Sequence, residues 1–302
     1  MNLIRRIWLF LLTNLAIIVL FSIIVLIIER VFWVNISAMA GTSYIGLLIY
    51  AALFWFLGAF ISLALSKWTA KRAYGITPLS TEDIPHLSRK QKLVYDTILD
   101  IAAKNGIKTP EIGFYDARDP NAFATWATKN SSLVAVSSGL LDMMSEDEIE
   151  AVVAHEMAHI LNGDMVTMTL LTGVMNTFVI FFARIIADII DSRTDGKLGW
   201  LGYAWVNILL QIILGFFASM VVMAFSRYRE FKADEGSSRF VGREKMIAAL
   251  QALQKMHNLA PANNTQMSTM QISTQTGSGI TKLFMSHPPL EERIAYLESL
   301  RM

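Results

Sequence analysis

The stretch SEDEIEAVVAHEMAHILNGD, residues 145–164, contains the strongest structural signal in this 302-residue chain. Ser145 is a favourable N-cap, and Glu148, three residues later, completes a capping box at the start of a helix. Apolar residues at positions 149, 152 and 153 then recur at helical spacing. The stretch therefore predicts a helix that begins near residue 146 and carries His155-Glu156-Met157-Ala158-His159.

The two histidines of this helix are four residues apart, which places both on one face with about 5–6 Å between their Cβ atoms. Both imidazoles can then bind one Zn²⁺ at about 2.0–2.1 Å. Glu156 follows the first histidine, where its carboxylate can reach a water at the metal. The chain has no cysteine, so thiolate ligands and disulfides are excluded. We therefore expect one Zn²⁺ per chain, bound by His155 and His159.

The composition indicates a membrane protein. The residues are 54% hydrophobic and 17% charged, and the mean hydropathy is +0.44, whereas soluble domains are typically about 45–50% apolar and about 25% charged. Four long runs contain no charged residue: Ile7–Ile28, Val31–Ser66 (most apolar over Tyr44–Leu65), Met165–Ala183 and Leu198–Ser226. Because about 20 apolar residues cross a bilayer, we expect four membrane spans.

Two alternatives concern these runs. The last two contain scattered Thr, Asn and Gln residues, which either bond between helices in a bundle or indicate a buried hairpin lying on the membrane. The first run follows Arg5 and Arg6 and precedes Ala38-Met39-Ala40, as in a cleavable signal peptide. Its 22 residues exceed the about 7–15 of a signal core, so we expect an uncleaved anchor.

Basic residues flank the runs asymmetrically. Those that adjoin the chain start and the polar segments are Arg5, Arg6, Lys67, Lys71, Arg72, Arg227, Arg229 and Lys232. By the positive-inside rule, both termini and both polar segments face the cytoplasm. The expected organisation is two membrane helices over 1–69, a catalytic segment over 70–164, a membrane hairpin over 165–226 and a second part of the catalytic domain over 227–302.

The polar segments predict a mainly α fold with a small β-sheet. Helical patterns cover Arg89–Lys104, Glu244–His257 and Leu290–Leu300, and β-prone runs cover Ile112–Tyr115, Ala124–Thr128 and Leu133–Val136. Residues 261–278 are rich in Ser, Thr, Asn, Gln and Gly and predict a mobile loop. His86 and His257 are expected on the surface. A net charge of +1 argues against a nucleic-acid partner bound by a basic face.

A catalytic zinc site needs a third protein ligand and an open position. Glu230 lies four residues after the fourth apolar run, and His159 lies six residues before the third. If these runs form an antiparallel hairpin of continuous helices, both residues lie about 6–9 Å beyond the apolar stretch. Glu230 is then a better candidate for the third ligand than His86, His257 or His287, which sequence distance alone does not exclude. Asp234, one turn later, is placed to accept a hydrogen bond from a ligand histidine. The alternative is that both carboxylates are solvated charges on an amphipathic helix.

Several motifs together carry a resemblance to a known family: residues 155–164 (HEMAHILNGD), Ser226-Arg227, Arg229-Glu230-Phe231, Ala233-Asp234, Asn121-Ala122-Phe123-Ala124 and residues 286–293 (SHPPLEER). With the four-run layout, they make the chain resemble the bacterial members of a family of membrane-bound zinc metallopeptidases that also includes the CAAX prenyl endopeptidases. The resemblance implies a protease of the bacterial inner membrane that cleaves misfolded or damaged membrane proteins on the cytoplasmic side. Polypeptide substrates and the lipid bilayer are the implied partners.

The resemblance also implies roles for individual residues. His155, His159 and Glu230 match the zinc ligands, Glu156 the catalytic base, Asp234 the partner of a ligand histidine and Asn121 a residue along the substrate cleft. His287 has a backbone restricted by Pro288. It can donate to the developing oxyanion, or it belongs only to a helix-entry turn. Arg293 is a further catalytic candidate.

Two other functions stay open. A CAAX-type prenyl-peptide endopeptidase would use the same chemistry, although those enzymes have more spans than this chain can supply. A membrane scaffold or chaperone with a structural zinc would fill the fourth coordination position with protein and would not need Glu156.

Overall fold

The computed structural model describes residues 23–31, 33, 35, 38, 41, 43–126, 128–259 and 285–300. Its helices are α1 (Tyr44–Tyr74), α2 (Arg89–Lys104), α3 (Ser138–Met143), α4 (Glu146–Asn162), α5 (Asp164–Arg193), α6 (Gly199–Val241), α7 (Arg243–Leu259) and α8 (Leu290–Ser299). Its strands are β1 (Thr77–Pro78), β2 (Glu111–Tyr115), β3 (Ala122–Trp126) and β4 (Ser132–Ser137), with 3₁₀ turns at Ile84–His86 and Lys129–Ser131. The predicted fold class, mainly α with a small β-sheet, is confirmed.

Three helices in the described part of the chain are long and apolar enough to cross a membrane, namely α1, α5 and α6. They contain most or all of the second, third and fourth predicted runs. Most of the first run and the loop predicted over 261–278 lie outside the described residues. The chain divides into two compact units, one with the residues up to Ser62 and Thr169–Val222, the other with Leu63–Met168 and the residues from Met223 onward.

Polar side chains of the first unit bond to one another. The Tyr203 hydroxyl donates to Asp188 over 2.5 Å, and Arg184 lies 3.3 Å from the same carboxylate. The Arg184 guanidinium also lies 5.1 Å from the centre of the Tyr203 ring. Further along α6, the Gln211 amide donates to Asn207 over 2.5 Å. Such pairing is expected of polar residues in membrane helices, where an unpaired polar group is costly.

The second unit contains a four-stranded mixed sheet in the order β1-β2-β4-β3. Every residue of β4 is buried, as expected of a central strand with a continuous apolar run. β4 pairs parallel to β2 and antiparallel to β3, so β3 lies at one edge of the sheet. β3 begins and ends two residues earlier than the predicted Ala124–Thr128, because pairing with β4 determines its bounds more than local β-propensity does.

Helices α2, α4, α7 and α8 share one apolar core with the sheet, and α4 packs against both α2 and α7. Its largest side chains, none more than 2% exposed, include Ile98, Ile101, Ile149, Met157, Leu250, Leu290 and Leu297. Burying side chains of this size stabilises by roughly 1.5–3 kcal/mol each. The core therefore anchors the helix that carries the two histidines.

The start of α4 is the one that the sequence predicts, whereas its end differs from the expected continuous helix. The Ser145 hydroxyl accepts from the Glu148 N–H, and the Glu148 carboxylate accepts from the Ser145 N–H. The helix ends at Gly163, whose φ of +74° is a left-handed conformation that glycine adopts without strain. The expected continuous helix from His159 into the third apolar run is therefore wrong, whereas α6 runs unbroken past Glu230.

Close contact between α6 and α4 depends on Gly236. A Cβ atom at this residue would lie 2.6 Å from the Cβ of Ala158, well inside van der Waals contact. The next residue, Ser237, donates its hydroxyl to the Ala151 carbonyl of α4 over 2.8 Å. This interface sets the distance between the histidines of α4 and the carboxylates of α6.

Gly236→Ala should therefore separate α4 from α6. We expect a loss of about 1–3 kcal/mol in the free energy of unfolding, as for other overpacked interiors, together with weaker metal binding. Thermal unfolding and metal titration of the purified protein measure the two effects. Gly215→Ala is the matched control, because Gly215 lies on the same helix and has nothing within 4 Å of the added Cβ. Equal behaviour of the two variants would contradict the close contact.

Candidate metal centre

The two histidines of α4 face one another inside the second unit. His155 is 7% exposed and His159 is 8% exposed. Their Nε2 atoms lie 3.1 Å apart, and their rings are nearly perpendicular at 87°. The four-residue spacing on one helix produces this arrangement, so the two nitrogens are directed at the same point.

The other nitrogen of each histidine lies close to a buried carboxylate. His155 Nδ1 lies 2.9 Å from Asp234 Oδ1, and His159 Nδ1 lies 2.5 Å from Asp164 Oδ2. A carboxylate near Nδ1 favours the proton on that nitrogen and so favours Nε2 as the metal-binding atom. At 3.1 Å the two Nε2 atoms are close enough to share a proton or to bind one cation.

Glu230 closes the third side of this site. Its Oε2 lies 3.5 Å from His155 Nε2, and its Oε1 lies 3.6 Å from His159 Nε2. The side chain is 2% exposed, and Oε1 is a buried atom with no hydrogen-bond donor among the described residues. His155, His159 and Glu230 thus offer three ligand atoms within 4.8 Å of one another, a group that could hold a metal ion.

The charges around the site also fit a cation. Among the described residues, the buried carboxylates Asp164, Glu230 and Asp234 outnumber the one buried guanidinium, that of Arg293. Burial would lower the pKa of His155, but the carboxylates of Asp234 and Glu230 outweigh it and raise that pKa to about 9. The site therefore attracts positive charge strongly, and the excess of two carboxylates matches one divalent ion.

Arg293 is bound to the carboxylate behind His155. Its Nε and Nη2 donate to the two oxygens of Asp234 at 2.7 and 2.5 Å, a bidentate pair, and its Nη1 lies 3.6 Å from Glu230 Oε2. The guanidinium is almost fully buried. Arg293 on α8 thereby fixes the orientation of Asp234 on α6, which in turn orients His155.

His287 approaches the site from the segment that precedes α8. Its Nδ1 lies 3.0 Å from Glu230 Oε2, and its side chain is 36% exposed. It is therefore bound to the site on one side and open to solvent on the other.

Glu156 is held by the edge strand of the sheet. Its Oε2 accepts a hydrogen bond from the Ala124 N–H of β3 over 3.0 Å. The carbonyl of Asn121 accepts from the Ser137 N–H of β4, so Asn121 faces β4 with its main chain and Ala124 faces away from it. This alternation is that of an antiparallel edge strand, and it directs the outer edge of β3 toward α4.

One cavity of about 400 Å³ connects these groups. The predicted site residues that line it are Asn121, His155, Glu156, His159, Glu230, His287 and Arg293, and Asp234 lies behind His155. Apolar side chains of α7, among them Met246, Leu250 and Leu253, form another part of its wall. A cavity with an apolar wall and convergent polar groups is typical of a ligand site.

Asp164 was not predicted as part of the site. The left-handed Gly163 turns the chain so that Asp164, the first residue of α5, reaches back to His159. The Gly-Asp pair after the helix was the available signal, since glycine ends helices in this way. His86 is exposed as predicted, and the side chain of His257 lies outside the described part.

Fold and site together define a metallopeptidase embedded in a membrane. The profile of peptidase family M48 matches residues 88–301, and the chain belongs to that family.

The curated relatives of this chain are similar along its whole length. It is 49% identical to Protease HtpX of Pasteurella multocida over 295 residues, with 98% of each chain covered, and 48% identical to Protease HtpX of Alkalilimnicola ehrlichii over 302 residues, again with 98% of each covered. A crystal structure of S. mikatae Ste24p has a similar fold, with a TM-score of 0.66 and 18% identity over 97% of this chain and 67% of that one.

Removing individual site carboxylates should reduce metal affinity in a defined order. Glu230→Ala removes one of the three candidate ligand groups, so affinity should fall by several orders of magnitude. Asp164→Asn removes only the partner of His159 and should cost about 10–100-fold. Competition with a metal-binding dye measures both. Asp96→Asn, an exposed surface carboxylate, is the control and should bind like the parent.

Asp234→Asn should resemble Asp164→Asn in metal affinity but differ in stability. It leaves the buried Arg293 without its anion, which should cost about 3–5 kcal/mol of unfolding free energy. A Glu230→Ala variant that binds metal as well as Asp164→Asn does would contradict the assignment of Glu230 as a ligand.

Proposed function

We propose that the site holds one Zn²⁺ per chain and that the protein is an endopeptidase. The single observation that carries this proposal is the convergence of two Nε2 atoms and the buried Glu230 carboxylate, with Glu156 lining the same cavity. Two imidazoles and a carboxylate form a ligand set known from catalytic zinc sites. When bound, Zn²⁺ supplies Lewis-acid chemistry, polarising a carbonyl oxygen and making water acidic near neutral pH.

Glu156 is the proposed general base. Its carboxylate takes a proton from the attacking water and passes it to the nitrogen of the leaving amine. The hydrogen bond from the Ala124 N–H fixes that carboxylate in place, which supports this role. A membrane scaffold with a structural zinc would need no general base next to the metal, so Glu156 would have no role there.

His287 and Arg293 take different proposed roles. His287 Nδ1 lies 3.0 Å from Glu230 Oε2, and its ring would donate a hydrogen bond to the oxyanion that develops on the substrate. Two of the three guanidinium nitrogens of Arg293 donate to Asp234, and the third lies 3.6 Å from Glu230. The geometry therefore favours a positioning role for Arg293 over the catalytic role expected from sequence.

Asn121 and β3 are the proposed substrate platform. At the outer edge of β3, Ala122 and the carbonyl of Ala124 face away from β4, on the side where Glu156 accepts from the Ala124 N–H. An extended peptide can add to such an edge as a further strand. Asn121, at the start of this edge and in the wall of the cavity, would then contact the substrate.

We infer that the substrates are membrane proteins, misfolded or damaged ones, cleaved on the cytoplasmic side of the bacterial inner membrane as a form of quality control. Glu230 lies four residues beyond Ser226 on the unbroken helix α6, which is about 6 Å at 1.5 Å per residue. A peptide bond must therefore come close to the membrane surface to be cut. Chain segments that leave the bilayer in an unfolded state meet this condition.

Glu156→Gln tests the mechanism. The variant should keep about one Zn²⁺ per chain, because Glu156 is not a ligand, and should lose about 10²–10⁴-fold in the cleavage rate, as expected when a general base is removed. Casein cleavage and elemental analysis of the purified protein measure the two. Glu146→Gln, on the partly exposed first turn of the same helix, should cleave at the parental rate.

The choice of substrate separates the alternatives. Cleavage of casein and of a destabilised membrane protein supports the proposal, whereas cleavage of a prenylated CAAX peptide alone would favour the prenyl-endopeptidase alternative. If Glu156→Gln retains full activity in a metal-dependent assay, the mechanism is wrong. If zinc-loaded protein cleaves no substrate, the result favours the alternative of a membrane scaffold with a structural zinc.

Reporter fusions test the orientation. Reporters placed after residues 35, 75, 195 and 302 should be read as outside, inside, outside and inside, since basic residues flank the proposed cytoplasmic ends. Alkaline phosphatase and a cytoplasmic fluorescent protein give complementary signals at each position. A cytoplasmic signal at 195 would show that the hairpin over 165–226 does not cross the bilayer.

A further inference from the structure

A second cavity lies in the same unit, on another face of α6. Its volume is about 530 Å³. The α6 residues that line it are spaced three or four apart and include Phe225, Tyr228, Arg229, Lys232, Glu235 and Arg239. The opposite wall comes from the ends of three helices, with Asn105 directly after α2, Asn162 of α4 and Thr167 of α5. We call it the interfacial cavity.

The charged side chains that line the interfacial cavity are three cations, Arg229, Lys232 and Arg239, and two carboxylates, Asp164 and Glu235. Each of the two carboxylates is already paired with a neighbouring group. Asp164 is bonded to His159. Glu235 is 16% exposed, lies 2.9 Å from Lys232 and also pairs with Arg239. Lys232 and Arg239 therefore share one carboxylate, that of Glu235.

Arg229 has donor groups that its surroundings do not satisfy. Its Nε is buried and has no hydrogen-bond acceptor among the described residues, and the carboxylate nearest its Nη2 is that of Glu230, at 3.8 Å. A buried donor without a partner costs free energy. A guanidinium in this state is suited to a planar or tetrahedral oxyanion, which it can bind through two N–H groups.

Along α6, the residues that line the interfacial cavity change from aromatic to basic. Phe225 and Tyr228, with ring centres 6.1 Å apart, lie at the end of the apolar run, and tyrosine is typical of the membrane–water interface. Lys232 follows Tyr228 by about 6 Å along the axis. The headgroup region of a bilayer leaflet is of similar thickness, about 5–8 Å, so a membrane–water interface at Tyr228 would place Arg229 and Lys232 at the depth of lipid phosphates.

We propose that the interfacial cavity binds the headgroup of an anionic phospholipid. Arg229 and Lys232 contact the phosphate, and the apolar end at Phe225 and Thr167 receives the glycerol and the first acyl carbons. Lys232 and Arg239 disfavour a choline headgroup, because its positive charge would meet theirs. This site is additional to the metal centre and does not depend on the proposed peptidase mechanism.

Lipid binding to the full-length protein tests the proposal. The detergent-solubilised Glu156→Gln protein, which prevents self-cleavage, is titrated with phosphatidylglycerol or phosphatidylcholine and observed by native mass spectrometry. We expect phosphatidylglycerol to bind at least fivefold more tightly. Lys232→Gln should weaken its binding about fivefold, as expected for one basic residue at a membrane surface.

Glu235→Gln provides a change of opposite sign. It removes the carboxylate that competes for Lys232 and Arg239, so phosphatidylglycerol should bind more tightly even if the variant is less stable. Lys92→Gln is the matched control, because Lys92 is a lysine of similar exposure (48% against 45%) that also pairs with a carboxylate on its own helix. It should bind both lipids like the parent.

Inorganic phosphate and glycerol 3-phosphate distinguish the sources of the anion. Displacement of bound phosphatidylglycerol by millimolar phosphate supports the shared phosphate chemistry. Saturation by inorganic phosphate without any binding of phosphatidylglycerol would overturn the lipid proposal. Equal affinity for the two lipids, or equal effects of Lys232→Gln and Lys92→Gln, would overturn it as well.

Discussion

The buried charge of Asp234 is the constraint on which the metal centre depends. This carboxylate has no solvent exposure, and an unpaired charge in such a place is far too costly to persist. It is neutralised by two hydrogen bonds from Arg293 of α8, and His155 Nδ1 of α4 lies 2.9 Å from it. Three segments that are far apart in sequence thus meet at one buried carboxylate, and removing Arg293 would strand its charge.

Local backbone features bring the remaining groups into reach. The left-handed Gly163 ends α4 and turns Asp164 back toward His159, which an uninterrupted helix could not do. The missing side chain of Gly236 lets α6 approach α4, so Glu230 comes within 4 Å of both histidines. The edge position of β3 leaves the Ala124 N–H available to Glu156.

Short-range signals in the sequence were sufficient for much of this structure. The capping box and the four-residue histidine spacing predicted α4 with its correct start, and the position of Glu230 after an apolar run predicted a carboxylate near the histidines. The partner of Arg293 and the order β1-β2-β4-β3 could not be predicted, because both depend on contacts between distant segments. Asp164 was missed for a different reason: the expected continuous helix would have directed its side chain away from His159.

Helix α6 links the metal centre to the membrane surface. A single unbroken helix contains the apolar run, the basic and aromatic residues of the interfacial cavity, and the carboxylates Glu230 and Asp234. Neighbouring residues serve the two sites, since Arg229 lines both cavities and Glu230 belongs to the metal centre. A group bound at Arg229 in the interfacial cavity would therefore contact the residue next to Glu230, the proposed metal ligand.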